Sequence, residues 1–139
     1  MSKELEDRIK EINNNKYIKK ESMDYIDTHY DFVRLFNSYE FVVAKFTATW
    51  CAPCQRIQPK FFELSKEDIF KHIKCVCCDI DTVSEDDDFV DVVDKVSVLP
   101  TFVLFQKTKE CYKIISIVEG GDLNALKNEM TVYMTDELD

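Results

Sequence analysis

The sequence predicts an α/β domain: a mixed central sheet of four to five strands, flanked by about four helices and preceded by a short N-terminal extension. Three observations carry this reading. Apolar, β-rich runs at Phe41–Phe46, Ile73–Asp79, Thr101–Phe105 and Cys111–Val118 alternate with stretches of helical period, in the order β-α-β-α-β-α-β-β-α. A βαβ unit implies a parallel pair, while the last two runs are close enough to form an antiparallel hairpin; together they make a mixed sheet with helices on both faces. The composition is that of one globular domain with a sizeable core: 139 residues, 45% hydrophobic and 32% charged. With only 2 glycines and no internal period, the chain is neither linker-rich nor a repeat.

Residues 1–20 read as the extension and 21–139 as the domain. Leu5, Ile9 and Ile12 recur at helical spacing and stop at Asn13-Asn14-Asn15, the pattern of a short amphipathic helix or of a frayed end. In either case the segment is expected to be dispensable for chemistry. Ser22–Ile26 is a candidate first strand. Asp27-Thr28 can cap a helix over about 29–37, with Val33, Phe36 and Phe32 inward and His29 on the surface. Phe41–Thr47 is the central strand. The next helix runs to about Leu64 and is expected to kink at Pro59, with Phe61, Phe62 and Leu64 on the sheet.

In Ile73–Asp79, Cys75 and Cys77 should face one side of the sheet and Val76 and Cys78 the other. The run Ser84-Glu85-Asp86-Asp87-Asp88 reads as a capped helix start, with acids at the positive helix end. It lacks the glycine turn and ligand alternation of a calcium loop. Its helix would bury Phe89, Val92, Val93 and Val96. Gln106–Glu110 is a polar turn, Gly120-Gly121 end the hairpin, and Asp122 caps a last helix with Leu123, Leu126 and Met130 on one face.

A net charge of −9 excludes nucleic acid and anionic membrane surfaces as partners. No apolar run is long enough to cross a bilayer. The stretch Met1–Asp7 has no apolar signal core and is too acidic for an organelle presequence. Cys75, Cys77, Cys78 and Cys111 lie in apolar, strand-like runs, unlike a secreted disulfide framework, and are expected to be mostly buried and reduced, with Cys111, next to a polar turn, as the expected exception. The expected compartment is the cytoplasm.

Chemistry concentrates at Trp50-Cys51-Ala52-Pro53-Cys54, where the central strand passes into a helix. A helix start offers unpaired N–H groups and a positive dipole end, and both favour a thiolate. Pro53 suits a first helical turn. Cys51, preceding the helix, should be the exposed nucleophile; Cys54, inside the first turn, should be the less exposed resolving thiol. Two cysteines at this spacing and place form a dithiol redox site, which needs no metal or organic cofactor.

This stretch, with Pro59 five residues after the second cysteine and Leu99-Pro100-Thr101 downstream, resembles the thioredoxin family from about Ser22 to the C-terminus. The resemblance implies the thioredoxin fold and a monomer that reduces disulfide-containing client proteins and is recycled by a thioredoxin reductase. It implies that Pro100 is a cis-proline placing Leu99 beside the sulfurs. Trp50, Ala52, Pro53, Leu99 and Gly120-Gly121 would then make a flat apolar surface for clients.

Two positions depart from the family pattern. Ala52 stands where glycine is usual. Lys45, six residues before Cys51, stands where thioredoxins carry a buried aspartate that relays the resolving cysteine's proton. A neutral Lys45 could replace that acid as base. A charged one, the form expected here, would stabilise nearby thiolates and make the disulfide more oxidising than a typical thioredoxin at about −270 mV. Two other readings compete: a non-catalytic binding module on the same fold, and a zinc centre built from Cys51, Cys54 and two of Cys75, Cys77 and Cys78. The second lacks the turn residues of a zinc knuckle.

Overall fold

The central strand is covered on both faces and paired on both edges. The computed structural model describes residue 3 and residues 23–134; the helix expected around Leu5, Ile9 and Ile12 lies outside the described residues. Five strands, β1 (Asp24–Tyr25), β2 (Phe41–Thr47), β3 (Ile73–Asp79), β4 (Thr101–Lys107) and β5 (Tyr112–Glu119), form one sheet in the order β1-β3-β2-β4-β5. β1 and β2 run parallel to β3, β4 runs antiparallel to β2, and β5 antiparallel to β4. In β2 every residue from Val42 to Thr47 is buried. That is why the strand reads as a continuous apolar run instead of an alternation.

The helices are α1 (His29–Arg34), α2 (Ala52–Ser65), α3 (Ile80–Val83), α4 (Val90–Val93) and α5 (Leu123–Met134). α2 and α5 cover one face of the sheet, where Phe61, Leu64, Leu126 and Met130 pack on Val43, Cys75, Cys77, Phe102 and Leu104. α1 and α4, with the 3-10 turns Leu35–Asn37 and Asp87–Phe89 that adjoin them, cover the other, where Phe32, Phe36, Phe89 and Val92 pack on Val42, Phe46, Val76, Cys78 and Phe105. The alternation expected for Cys75, Val76, Cys77 and Cys78 is therefore the observed one. Burial pushes the Cys75 thiol up to about 12 and raises those of Cys77, Cys78 and the half-buried Cys111.

Phe32 is the hub of the second face. Its ring meets Phe105 at 4.7 Å, Phe89 at 5.2 Å, Tyr112 at 5.3 Å and Phe36 at 5.5 Å between centroids. Val33, expected inward, is only half-buried, because the helix turns Phe32 and Phe36 to the sheet instead. His29 is not a plain surface residue: it is half-buried, edge-on to Phe89 at 5.2 Å, and its Nε2 hydrogen-bonds Tyr112 Oη at 2.9 Å. Burial raises the Tyr112 phenol to about 12, so it stays protonated in that contact.

Capping follows the sequence at two sites and departs at a third. Thr28 Oγ1 accepts from Asp31 N, and Asp122 Oδ1 from Ala125 N, as expected. Ser84 does not start a helix. Asp79 caps the short α3 before it, and Asp86 caps the turn that leads into α4, accepting from Asp88 N at 3.0 Å and from His29 N at 2.8 Å. A carboxylate two residues further on wins because it satisfies two backbone donors at once, one of them on α1. Those bonds hold the Asp86 carboxyl below its usual range. α2 continues through Pro59, which sits exposed on its outer side. The β4–β5 turn closes without glycine, through Thr108 N to Cys111 O and Cys111 N to Thr108 Oγ1.

Thr47, at the end of β2, is buried with its Oγ1 unpartnered among the described residues. Thr47→Val keeps the shape and removes that hydroxyl, so it should be neutral or stabilising by up to about 1 kcal/mol in urea denaturation. A clear loss of stability would mean that a buried water pairs the hydroxyl.

Candidate active site

Cys51 is the residue on which α2 starts. Its backbone is extended (φ −93°, ψ 103°), its Sγ accepts from Cys54 N at 3.3 Å, and Pro53 occupies the first turn. A cysteine here does what serine does at other helix starts: it answers an N–H that the helix leaves unpaired. The loop before it is pinned by Cys51 N and Gln55 Nε2, both donating to the Ala48 carbonyl at 3.1 Å. Cys51 and Cys54 are joined in a disulfide, Cα atoms 5.3 Å apart.

Cys54 is fully buried, as expected for the inner cysteine. Cys51 is less open than expected, at 5% exposed. The reason is local packing: both cysteines form a small apolar cluster with Ala48, against Ile80 and Leu99. What remains open on Cys51 faces a shallow, mostly apolar groove of about 660 Å³. Trp50, Ala52, Pro53 and Leu99 line it, as the sequence suggested, and Ile80, Val96, Ser97 and Val98 complete it. The Leu99–Pro100 peptide is cis and Pro100 is buried. Gly120 does not reach the groove. It stands behind it at φ +83°, a conformation suited to glycine, and its N–H holds the Pro100 carbonyl at 2.8 Å.

Trp50 is 68% exposed and would be costly to leave loose. Its Nε1 donates to Asp81 Oδ2 at 2.8 Å. Asp81 belongs to α3, a helix that the sequence pattern does not announce, and sequence reasoning missed it, as it missed Ile80, Val96, Ser97 and Val98 in the groove. Gln58 was missed as well. It lies one helical turn after Cys54 and one before Phe61, on the stripe of α2 that faces the core; a polar residue on that stripe was the available signal.

Lys45 is 1% exposed. Its Nζ donates to the Cys54 carbonyl at 2.8 Å and to Gln58 Oε1. Both partners are neutral carbonyls. Burial lowers the lysine's pKa, partly opposed by Cys77, its register partner on β3. Cys75, Cys77 and Cys78 divide between the two faces of the sheet, so they do not converge with Cys51 and Cys54 on one centre. Among the described residues no helix is long and apolar enough to cross a membrane.

The comparisons with known proteins agree with this geometry. A family model described as Thioredoxin matches residues 25–131. The chain is 37% identical over 111 residues to a thioredoxin of Sus scrofa, covering 77% of this chain and 92% of that one. It is 29% identical over 109 residues to a thioredoxin of Neurospora crassa, covering 77% and 83%. Among solved structures, a thioredoxin of Malassezia sympodialis superposes with a TM-score of 0.67 at 27% identity, over 79% of this chain and 91% of that chain. The oxidised mitochondrial thioredoxin 3 of Saccharomyces cerevisiae gives 0.65 at 25% identity, over 79% and 94%.

Proposed function

Because the chain belongs to the thioredoxin family and is, like its relatives, a thiol–disulfide oxidoreductase that reduces protein disulfides through a dithiol, we propose how its residues divide that work. Cys51 is the nucleophile. The helix start and the Cys54 N–H favour its thiolate. The thiolate attacks a client disulfide, and one client sulfur leaves with the electron pair. Cys54 then attacks Cys51 Sγ, the bond to the client breaks, and the second client sulfur leaves as a thiol. The enzyme is left as the Cys51–Cys54 disulfide, the form described above, and two electrons from a thioredoxin reductase return it to the dithiol. It is thus an electron carrier, with no metal or organic cofactor assigned.

The groove beside Cys51 supports the client-binding role of Trp50, Ala52, Pro53 and Leu99, with Pro100 behind them. Gly120 is assigned a supporting place through the Pro100 carbonyl. Lys45 donates to two neutral carbonyls and has its pKa lowered by burial, which supports the neutral amine over the charged form expected from the sequence and makes it the candidate acceptor for the proton Cys54 must lose. Residues 1–20 are proposed as an appendage to the domain that takes no part in exchange. A monomer in the cytoplasm is the proposed setting, supported by four cysteines that are free thiols, as a reducing compartment would keep them.

The observation that carries this reading is the Cys51–Cys54 pair at the start of α2, opening on an apolar groove. The test is reduction of insulin disulfides, first with dithiothreitol and then with NADPH and a thioredoxin reductase. Precipitation of insulin well ahead of the dithiothreitol control is expected. A rate no faster than that control would favour the non-catalytic binding module.

A further inference from the structure

The inference rests on the dithiol reading and concerns the polar cluster behind Cys54. Its members are the buried Lys45 on β2 and Cys77 on β3 and the half-buried Gln58 on α2, with the half-exposed Tyr25 of β1 at its outer end. Lys45 and Cys77 are register partners on adjacent parallel strands, so both side chains leave the same face of the sheet. Gln58 lies between them. Its Oε1 accepts from Lys45 Nζ and its Nε2 donates to Cys77 Sγ at 3.4 Å. The Cys77 thiol also donates to Gln58 Oε1 at 3.7 Å and is hydrogen-bonded to the Tyr25 hydroxyl.

A glutamine amide has one accepting end and one donating end. A lysine amine whose N–H bonds seek acceptors is served by the accepting end. The sulfur of Cys77 takes the donating end and so favours this orientation of the amide. Turned over, Gln58 would leave one Lys45 N–H without its acceptor and aim its own N–H at the lone pair that must take the proton. The two acceptors on Nζ match the two N–H bonds of a neutral amine and leave its lone pair open to a proton.

We propose that Cys77 and Gln58 are positioning residues for the resolving step: Cys77 orients the Gln58 amide, Gln58 holds the Lys45 amine against Cys54, and that amine receives the Cys54 proton. In the mixed disulfide the Cys54 thiol passes its proton to Lys45 Nζ. The Cys54 thiolate bonds to Cys51 Sγ, and the Cys51–client bond breaks with its electron pair on the client sulfur. The proton on Lys45 then passes to that sulfur, directly or through solvent. The groups facing Lys45 are Cys77 from β3, Cys54 and Gln58 from α2, and the uncharged Phe102 from β4. Tyr25, with Asp79 acting on it, reaches Lys45 only through Cys77.

The test follows a fluorescent peptide disulfide reacting with the full reduced chain, acid-quenched and resolved by mass, from about pH 5 to 9. This separates formation of the mixed disulfide from its resolution. In Gln58→Glu the new carboxylate favours protonation of its neighbours, so the pH limb for resolution should move up by about one unit, roughly tenfold at fixed pH. Cys77→Ala should slow resolution about fivefold to tenfold, and Cys77→Ser, which keeps an acceptor, should restore it to within about twofold. Formation of the mixed disulfide should stay within about twofold in all three. A limb that does not move in Gln58→Glu overturns the proposal, and so does a Cys77→Ser as slow as Cys77→Ala. Should Cys77→Ala fail to fold, the half-buried Gln58→Glu decides. A parent chain that forms no mixed disulfide at all sinks the dithiol reading instead, which is a different failure.

Discussion

Cys54→Ser will stall at the mixed disulfide and carry its client as a covalent adduct, while Cys51→Ser will reduce nothing. The asymmetry follows from placement. Cys51 caps α2, receives the Cys54 N–H and opens on the groove; Cys54 is wholly covered and can reach only Cys51. A serine hydroxyl at position 51 has no accessible anion near neutral pH, so turnover should fall to background, on the order of a thousandfold or more. A serine at position 54 leaves the first attack intact and removes the second. Intact-mass analysis after mixing each variant with insulin reads both outcomes: an adduct of one insulin molecule on Cys54→Ser, and unmodified protein for Cys51→Ser. The reverse pattern would exchange the two roles.

The largest loss of stability is expected from Phe32→Ala. Phe32 is fully buried and in ring contact with four other aromatic side chains, so truncation forfeits both its transfer energy and the packing around it. About 3–5 kcal/mol should be lost, a large share of the roughly 5–15 kcal/mol of a whole domain. Val33→Ala, one position along the same helix and half-buried, should lose no more than about 1 kcal/mol. Urea midpoints of the two variants, at unchanged slope, check the comparison. Equal losses would mean that α1 is rotated and that Val33 faces the sheet after all. The cluster lies on the sheet face opposite Lys45 and Gln58, so the Phe32→Ala molecules that remain folded should keep their resolving rate.

What could be read from the sequence was what one segment decides on its own. The continuous apolar run of β2 placed the central strand, and the alternation in β3 assigned Cys75, Val76, Cys77 and Cys78 to their faces. Lys45 was singled out by the family resemblance, which places an aspartate six residues before Cys51. The misses were decided by distant partners. His29 looked like a surface residue because Tyr112, 83 residues away, is what draws it in. Asp81 had no signal at all, since its part is to hold Trp50, 31 residues earlier, from a four-residue helix too short to show a period. Ser84 was read as the cap and Asp86 only as a first-turn acid, because nothing nearby shows that α1 brings the His29 N–H to Asp86. Gln58 was legible and overlooked. The helical stripe that was used to bury Phe61 and Leu64 also contains it.

The two edges of the sheet have opposite consequences for how the chain behaves in company. Among the described residues β1 offers two residues, too few to template another strand, whereas β5 offers eight and stands at the sheet's other edge. Its middle, Ile114-Ile115-Ser116-Ile117-Val118, has no charge and no proline, the composition of a segment that adds to copies of itself. Three features stand against this. The register shift at Leu104/Phe105 skips Ile115 and twists the strand, Lys113 and Glu119 place charge near its ends, and the −9 of the whole chain keeps copies apart. Only the last of these is long-range, and salt screens it over about 8 Å at physiological strength. The shelf life of this protein is therefore a matter of ionic strength as much as of folding free energy: the same domain, equally folded, should keep longest in dilute buffer.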